Sequence, residues 1–164
     1  MKTLFLIRHA KSDWSLEGQP DIDRPLNSRG YADAHRSGIE LKKRGLVPSL
    51  IISSPAIRAI STALILAEEI HYNVSRIRFA SELYESSIQK YLDVLHRIGN
   101  ENDSAAIVGH NSVLSELNSH ITRKIVDLPT CAIVILEIDT DDWMNTDNKP
   151  VTVRETLFPK MLAT

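Results

Sequence analysis

An α/β fold built on a mostly parallel sheet is what this chain predicts, and two observations carry the prediction. Short runs that are apolar at every position, such as Leu4-Phe5-Leu6-Ile7 and Ala105-Ala106-Ile107-Val108, alternate with longer segments whose apolar residues recur at helical spacing. A strand apolar on both faces needs cover on both sides, which flanking helices supply in parallel sheets. Three such runs also end in chemically active side chains: Arg8-His9, Ser53-Ser54 and His110-Asn111. In open α/β sheets, ligands bind beyond the carboxyl ends of the strands.

The elements follow in order. The first strand spans about residues 3–9, and a polar loop with Trp14, Gly18, Pro20 and Pro25 follows it. A helix is predicted from Ser28 to Arg44. Asn27 is its N-cap, Lys42-Lys43-Arg44 lie in the last turn, and Gly45 and Pro48 lie beyond. Leu50-Ile51-Ile52 reads as a second buried strand. Ser54 at N-cap and Pro55 at N1 then open a helix whose buried face is Ile57, Ile60, Leu64 and Ala67. Arg76–Ala80 reads as a short strand. Ile88, Tyr91, Leu92, Leu95 and Ile98 mark the next helix, closed near Gly99. A strand at 105–108 and a helix at 112–123 come next. Strands at 132–138 and 151–157, joined by an acidic turn, complete the sheet. In that turn Asp139, Asp141 and Asp142 fail as a calcium loop. Its fifth position would be Trp143 and its twelfth Pro150, with no closing Glu.

The 164 residues fit one domain, 1–164, and a net charge of −2 offers no broad basic surface for nucleic acid. No apolar stretch is long enough to span a bilayer. The apolar run after Lys2 is too short for a secretory signal and stops at Arg8-His9. The single cysteine, Cys131, excludes an intrachain disulfide and suits a reducing compartment, so the expected setting is cytoplasmic. Cys131 itself reads as a buried thiol within a strand. His35, His71, His96 and His120 have no partners at ligand spacing and read as surface or helix-face histidines.

If the strands are parallel neighbours, Arg8, His9, Arg58 and His110 converge. Arg58 falls in the first turn of its helix, where a cation opposes the dipole by about 0.3–1 kcal/mol. A phosphate bound there would reverse that sign, because the guanidinium and the free amides would act together. Arg8 and His9 are adjacent in a strand and would face opposite sides unless the chain leaves the sheet at that point. Phosphoryl transfer needs positioning and charge neutralisation. Arg8 and Arg58 supply forks for this, and His110 a further donor. A neutral His9 can attack phosphorus and form phosphohistidine, and nearby cations favour the neutral form. Glu82 and Glu85 are the nearest carboxylates by order that could protonate a leaving group. Trp14 is either a substrate-facing aromatic or a packed loop anchor. A phosphomutase, a non-catalytic phosphoprotein-binding module and a metal site on His9 and His110 are the competing readings. The metal site lacks Asp, Glu or Cys at ligand spacing.

Four ordered blocks resemble the histidine phosphatase superfamily, the phosphoglycerate-mutase-like fold. They are Arg8-His9-Ala10-Lys11-Ser12, Arg24-Pro25-Leu26-Asn27-Ser28-Arg29-Gly30, Ser53-Ser54-Pro55-Ala56-Ile57-Arg58-Ala59 with Thr62-Ala63, and Val108-Gly109-His110-Asn111. The Arg-His-Ala opening and short length are most similar to SixA-type phosphohistidine phosphatases. The resemblance implies a three-layer α/β/α fold and a metal-independent phosphatase that needs no cofactor. Its substrate would be a phosphohistidine protein or a small phosphomonoester. It implies His9 as the phosphorylated nucleophile and Arg8, Arg58 and His110 as the phosphate pocket, with Asn111 beside them. Leu83-Tyr84-Glu85 matches the family's Leu-x-Glu pattern, which favours Glu85 over Glu82 as proton donor. Ser15 stands where related chains often carry a phosphate-binding Asn.

Overall fold

The computed structural model describes residues 1–162. Six strands form one sheet: β1 (Lys2–Arg8), β2 (Ile51–Ser53), β3 (Arg78–Phe79), β4 (Ser104–Gly109), β5 (Ile133–Ile138) and β6 (Val151–Leu157). Their spatial order is β3-β2-β4-β1-β5-β6. β1 to β4 run parallel, whereas β5 is antiparallel to β1 and β6 to β5. Helices α1 (Ser28–Lys43), α2 (Ile57–Glu69), α3 (Ile88–His96) and α4 (Val113–Thr122) cover the faces.

The alternation of side chains along β1 divides the core in two. Leu4 and Leu6 point into a cluster with Tyr91, Leu95, Leu114 and Leu117 of α3 and α4. Phe5 and Ile7 point into another, with Leu41 of α1 and Ala59, Ala63 and Leu66 of α2. The fold is therefore α/β in three layers, with a sheet parallel at its centre, as the sequence predicts.

The corrections are local. α2 starts at Ile57 with Ala56 as its cap, two residues after Ser54. Its buried face is Ala59, Ala63, Leu66, Ala67 and Ile70, while Ile57 and Leu64 are 39% and 38% exposed. Both stripes have helical spacing, so periodicity could not separate them. The alanine stripe wins because α2 is packed closely. A Cβ on Gly38 of α1 would lie 2.6 Å from Glu69 Cβ. β3 shrinks to two exposed residues at the sheet edge, because Val74–Arg76 wind into a 3₁₀ turn capped by Asn73. Cys131 is fully buried but precedes β5, in a left-handed conformation with φ 60. His35, His71, His96 and His120 are exposed or half-buried, as the sequence predicts, and hydrogen-bond to other elements. His96 and His120 both contact Asp147, His35 contacts Glu69, and His71 contacts Lys42.

Asn27 caps α1 as predicted, accepting from Gly30 N–H at 2.8 Å. Gly30 also brings the helix against the loop after β1, since a Cβ there would sit 2.1 Å from the Lys11 carbonyl oxygen.

Candidate active site

β2, β4 and β1 are adjacent and parallel, so their carboxyl ends open onto one pocket of about 430 Å³. Its lining includes Arg8, His9, Arg24, Arg58, Tyr84 and His110, with Asp21 among them.

His9 is held from three sides. Its backbone N–H donates to Gly109 at the end of β4, and its carbonyl accepts from Cys131 N–H. These bonds tie His9 to the ends of both flanking strands just where β1 ends at Arg8, and both side chains line the pocket although they are neighbours. The imidazole Nδ1 lies 2.7 Å from the Ala10 carbonyl oxygen. A carbonyl can only accept, so Nδ1 carries the proton and Nε2 keeps its lone pair. Ala10 N–H in turn donates to Thr62 Oγ1, which donates to the Arg58 carbonyl. Burial is the largest influence on His9 and pushes it down to about 3; His110, Arg58 and Arg8 add to this, and the Ala10 carbonyl opposes it. The cations act in the direction expected from the sequence, behind desolvation.

Arg58 is 5% exposed. Its Nε points to His9 Nε2 at 3.4 Å. Its Nη1 and Nη2 donate to the Asp21 carbonyl at 2.7 Å and the Asp21 carboxylate at 2.9 Å. Asp21 also accepts from Arg24 Nε and from the Tyr84 hydroxyl. Partial burial pushes Asp21 up, but hydrogen bonds from Tyr84, Arg58 and Arg24 hold its carboxyl well below the usual carboxylate range. Asp21 is thus an ionised clamp on two arginines. Arg24 donates to Ser12 Oγ and stacks on the Trp14 ring at 3.4 Å. Trp14 is therefore no packed loop anchor: it is exposed, lines the pocket and offers one ring face to Arg24.

His110 sits with its ring centroid 5.1 Å from that of His9. Its Nε2 lies 2.8 Å from Ser54 Oγ, and its backbone N–H donates to the Tyr91 hydroxyl. Burial, then Arg58, pushes it down to about 4. Arg8 Nη1 donates to the Leu128 carbonyl at 2.7 Å. Asn111 lines the pocket, but its amide donates to Asp127 and Leu128 and its oxygen accepts from Ser115. Its work there is to tie the segment under Arg8 to α4.

Two expected site residues lie elsewhere. Glu85 is exposed and outside the pocket lining. It follows a 3₁₀ turn in extended backbone, between Tyr84 and Ser86, which do face the pocket. Alternation in an extended segment turns Glu85 away. Glu82 is paired with Arg97. Ser15 is also exposed and outside the lining, its N–H donating to Asp13 at 2.8 Å. Asp21, Tyr84 and Arg24 are site residues that the sequence does not single out: Arg24 and Tyr84 lie within family-like motifs without an assigned role, and Asp21 lies three residues before Arg24. Among the described residues, no three His, Cys, Asp or Glu side chains stand together as a metal-binding set. No helix among them is long and apolar enough to cross a membrane.

The profile of the histidine phosphatase superfamily (branch 1) matches residues 4–91. The chain belongs to the histidine phosphatase superfamily. It is 26% identical over 150 residues to an uncharacterized chloroplastic protein of Arabidopsis thaliana, covering 87% of this chain and 69% of that one. It is 38% identical over 73 residues to a 2,3-bisphosphoglycerate-dependent phosphoglycerate mutase of Erythrobacter litoralis, but the match spans 42% of this chain and only 31% of the mutase. In structure it is similar to the putative phosphohistidine phosphatase SixA of Agrobacterium tumefaciens, with TM-score 0.83, 24% identity and coverage of 96% and 98% of the two chains. A protein histidine phosphatase SixA complexed with tungstate has TM-score 0.83 and 18% identity, with 97% and 98% covered. These two likenesses establish the shared fold.

Proposed function

We propose that this superfamily member is a metal-independent phosphatase working through phosphohistidine on His9. Its substrate would be a phosphohistidine protein or a small phosphomonoester. One observation carries the reading: His9 donates its Nδ1–H to the Ala10 carbonyl, so its Nε2 lone pair opens onto a pocket of cationic donors. In the first step the Nε2 lone pair bonds to phosphorus, and the bond from phosphorus to the leaving group breaks, its pair going with the leaving group. In the second, water bonds to phosphorus, the P–N bond breaks, and its pair returns to Nε2. The water proton goes to solvent. Arg8, Arg58 and His110 neutralise the equatorial oxygens throughout.

The pocket favours a leaving group that needs little help. Asp21 is the carboxylate that lines it, and the two arginines and Tyr84 hold it ionised. An alkoxide needs a proton donor, whereas imidazole leaves more readily. This supports phosphohistidine over a simple ester. A mutase would have to shield phospho-His9 from water, and Trp14 at the pocket's edge is 73% exposed. A pure binding module would not need His9 Nε2 free. A metal on these two rings would find a lone pair on His9 Nε2, already facing the Arg58 guanidinium, and guanidinium neighbours disfavour a further cation. A cytoplasmic setting remains part of the proposal.

The test is turnover of phosphohistidine protein and small phosphoesters by wild type and His9→Ala, each with chelator. Activity should survive chelator, vanish in the variant, and pass through an acid-labile, alkali-stable phosphoenzyme. Equal activity in His9→Ala would remove the nucleophile, and loss with chelator would restore the metal reading.

A further inference from the structure

We propose that Ser54 is a positioning residue that fixes the tautomer of His110, so that the neutral ring offers Nδ1–H to the phosphate. Its purpose rests on the phosphatase reading above; the tautomer itself follows from hydrogen bonds alone.

Ser54 is fully buried and immobilised. It follows β2, its side chain is 0% exposed, and its N–H donates to the Val108 carbonyl of β4 at 2.9 Å. Its Oγ meets two groups: Ala56 N–H at 3.2 Å and His110 Nε2 at 2.8 Å. The amide can only donate, so it fills one lone pair of Oγ. The hydroxyl hydrogen still needs an acceptor, and water does not reach it. His110 Nε2 is the one partner able to accept. Were Nε2 protonated, Oγ would accept twice and its own hydrogen would be buried unpaired, which folded proteins rarely tolerate. Nε2 therefore holds the lone pair. In a neutral imidazole the proton is then on Nδ1, which has no protein partner among the described residues.

The consequence is electrostatic. A lone pair turned toward a phosphate oxygen repels it, whereas an N–H donates a charge-assisted hydrogen bond. His110 is pushed down to about 4, chiefly by burial, so at neutral pH it has one proton to place. Without Ser54 the ring would divide between tautomers, and half of its usefulness would depend on which it held. With Ser54 the donor is in place before substrate arrives, as preorganisation requires.

The experiment is nitrogen-15 NMR of the imidazoles in the full chain at neutral pH, with His110→Gln identifying the His110 signals. Wild-type His110 should show a protonated Nδ1 and a bare Nε2. Ser54→Ala should move it toward the Nε2–H form, and Ser54→Thr, which keeps the hydroxyl, should restore it. Inorganic phosphate should bind about tenfold more weakly to Ser54→Ala, the worth of one hydrogen bond, and recover in Ser54→Thr. A protonated Nε2 in the wild type overturns the proposal, even if the variants fail to fold. So does a Ser54→Ala variant with the tautomer unchanged. Phosphoenzyme formation is scored separately: its absence with Nδ1–H present would sink the phosphatase reading and leave the tautomer standing.

Discussion

His9 and His110 make the instructive comparison in this molecule. They terminate adjacent parallel strands, their rings stand 5.1 Å apart, and burial pushes both well below the ordinary imidazole value. Their partners differ. His9 Nδ1 faces a carbonyl, and His110 Nε2 faces a hydroxyl. A carbonyl demands a donor and leaves His9 Nε2 as a lone pair, suited to attack. A hydroxyl with no other acceptor demands a lone pair and leaves His110 as a donor, suited to holding a phosphate. On the proposed function, one residue type would serve as nucleophile or as electrophilic support according to the atom placed behind it.

Removing each ring is the hardest test of this division. His9→Ala should lower turnover by about 10⁴-fold or more and abolish the phosphoenzyme. His110→Ala should cost about 10²–10³-fold and still label His9. Equal losses, or labelling that survives in His9→Ala, would break the comparison.

Acid should reveal the two environments as stability. Both folded values lie below the ordinary 6.5, at about 3 and about 4. The unfolded chain therefore binds more protons as pH drops, and stability present above about 6.5 is lost as pH falls toward the folded values. The loss should be on the order of a few kcal/mol, read as a falling urea midpoint. His9→Gln should flatten the dependence more than His110→Gln, because its shift is larger; the reverse order would contradict the burial assigned to each.

Asp21→Asn tests the clamp that holds Arg58 against His9. Arg58 would lose its carboxylate partner, and kcat/KM should fall about tenfold, while Arg58→Lys should not substitute for a fork-shaped guanidinium. An unchanged kcat/KM in Asp21→Asn would mean that Arg58 needs no clamp. The smallest effect should come from Glu85→Gln. With its side chain turned out of the pocket, turnover of either substrate class should stay within about twofold, and a large loss on phosphoesters alone would restore Glu85 as their proton donor.

Much of this was legible beforehand, for identifiable reasons. A strand covered on both faces must be apolar throughout, so β1 and β4 announce themselves, and so do the residues that end them. Asn27 and Gly45 bound α1 through local chemistry that needs no tertiary partner. α2 shows the limit. Its large residues Ile57 and Leu64 look buried by spacing, yet the alanine stripe lies inside, because close packing against α1 rewards small side chains. Glu85 shows the same limit: a motif places it near the site, but an extended backbone turns it outward.

By itself the sequence determined the α/β class, most of the helices and strands, and the placing of Arg8, His9 and His110 at strand ends and of Arg58 at a helix start. These follow from periodicity and local capping, which act over a few residues. Only the tertiary structure decided the protonation of the two histidines, the clamp of Asp21 on Arg58 and the stacking of Arg24 on Trp14. Asp21 and Arg58 are 37 residues apart, and Ser54 and His110 are 56 apart. A proton's position depends on which atom sits within 3 Å and whether water can reach it, and neither is set until the chain has folded.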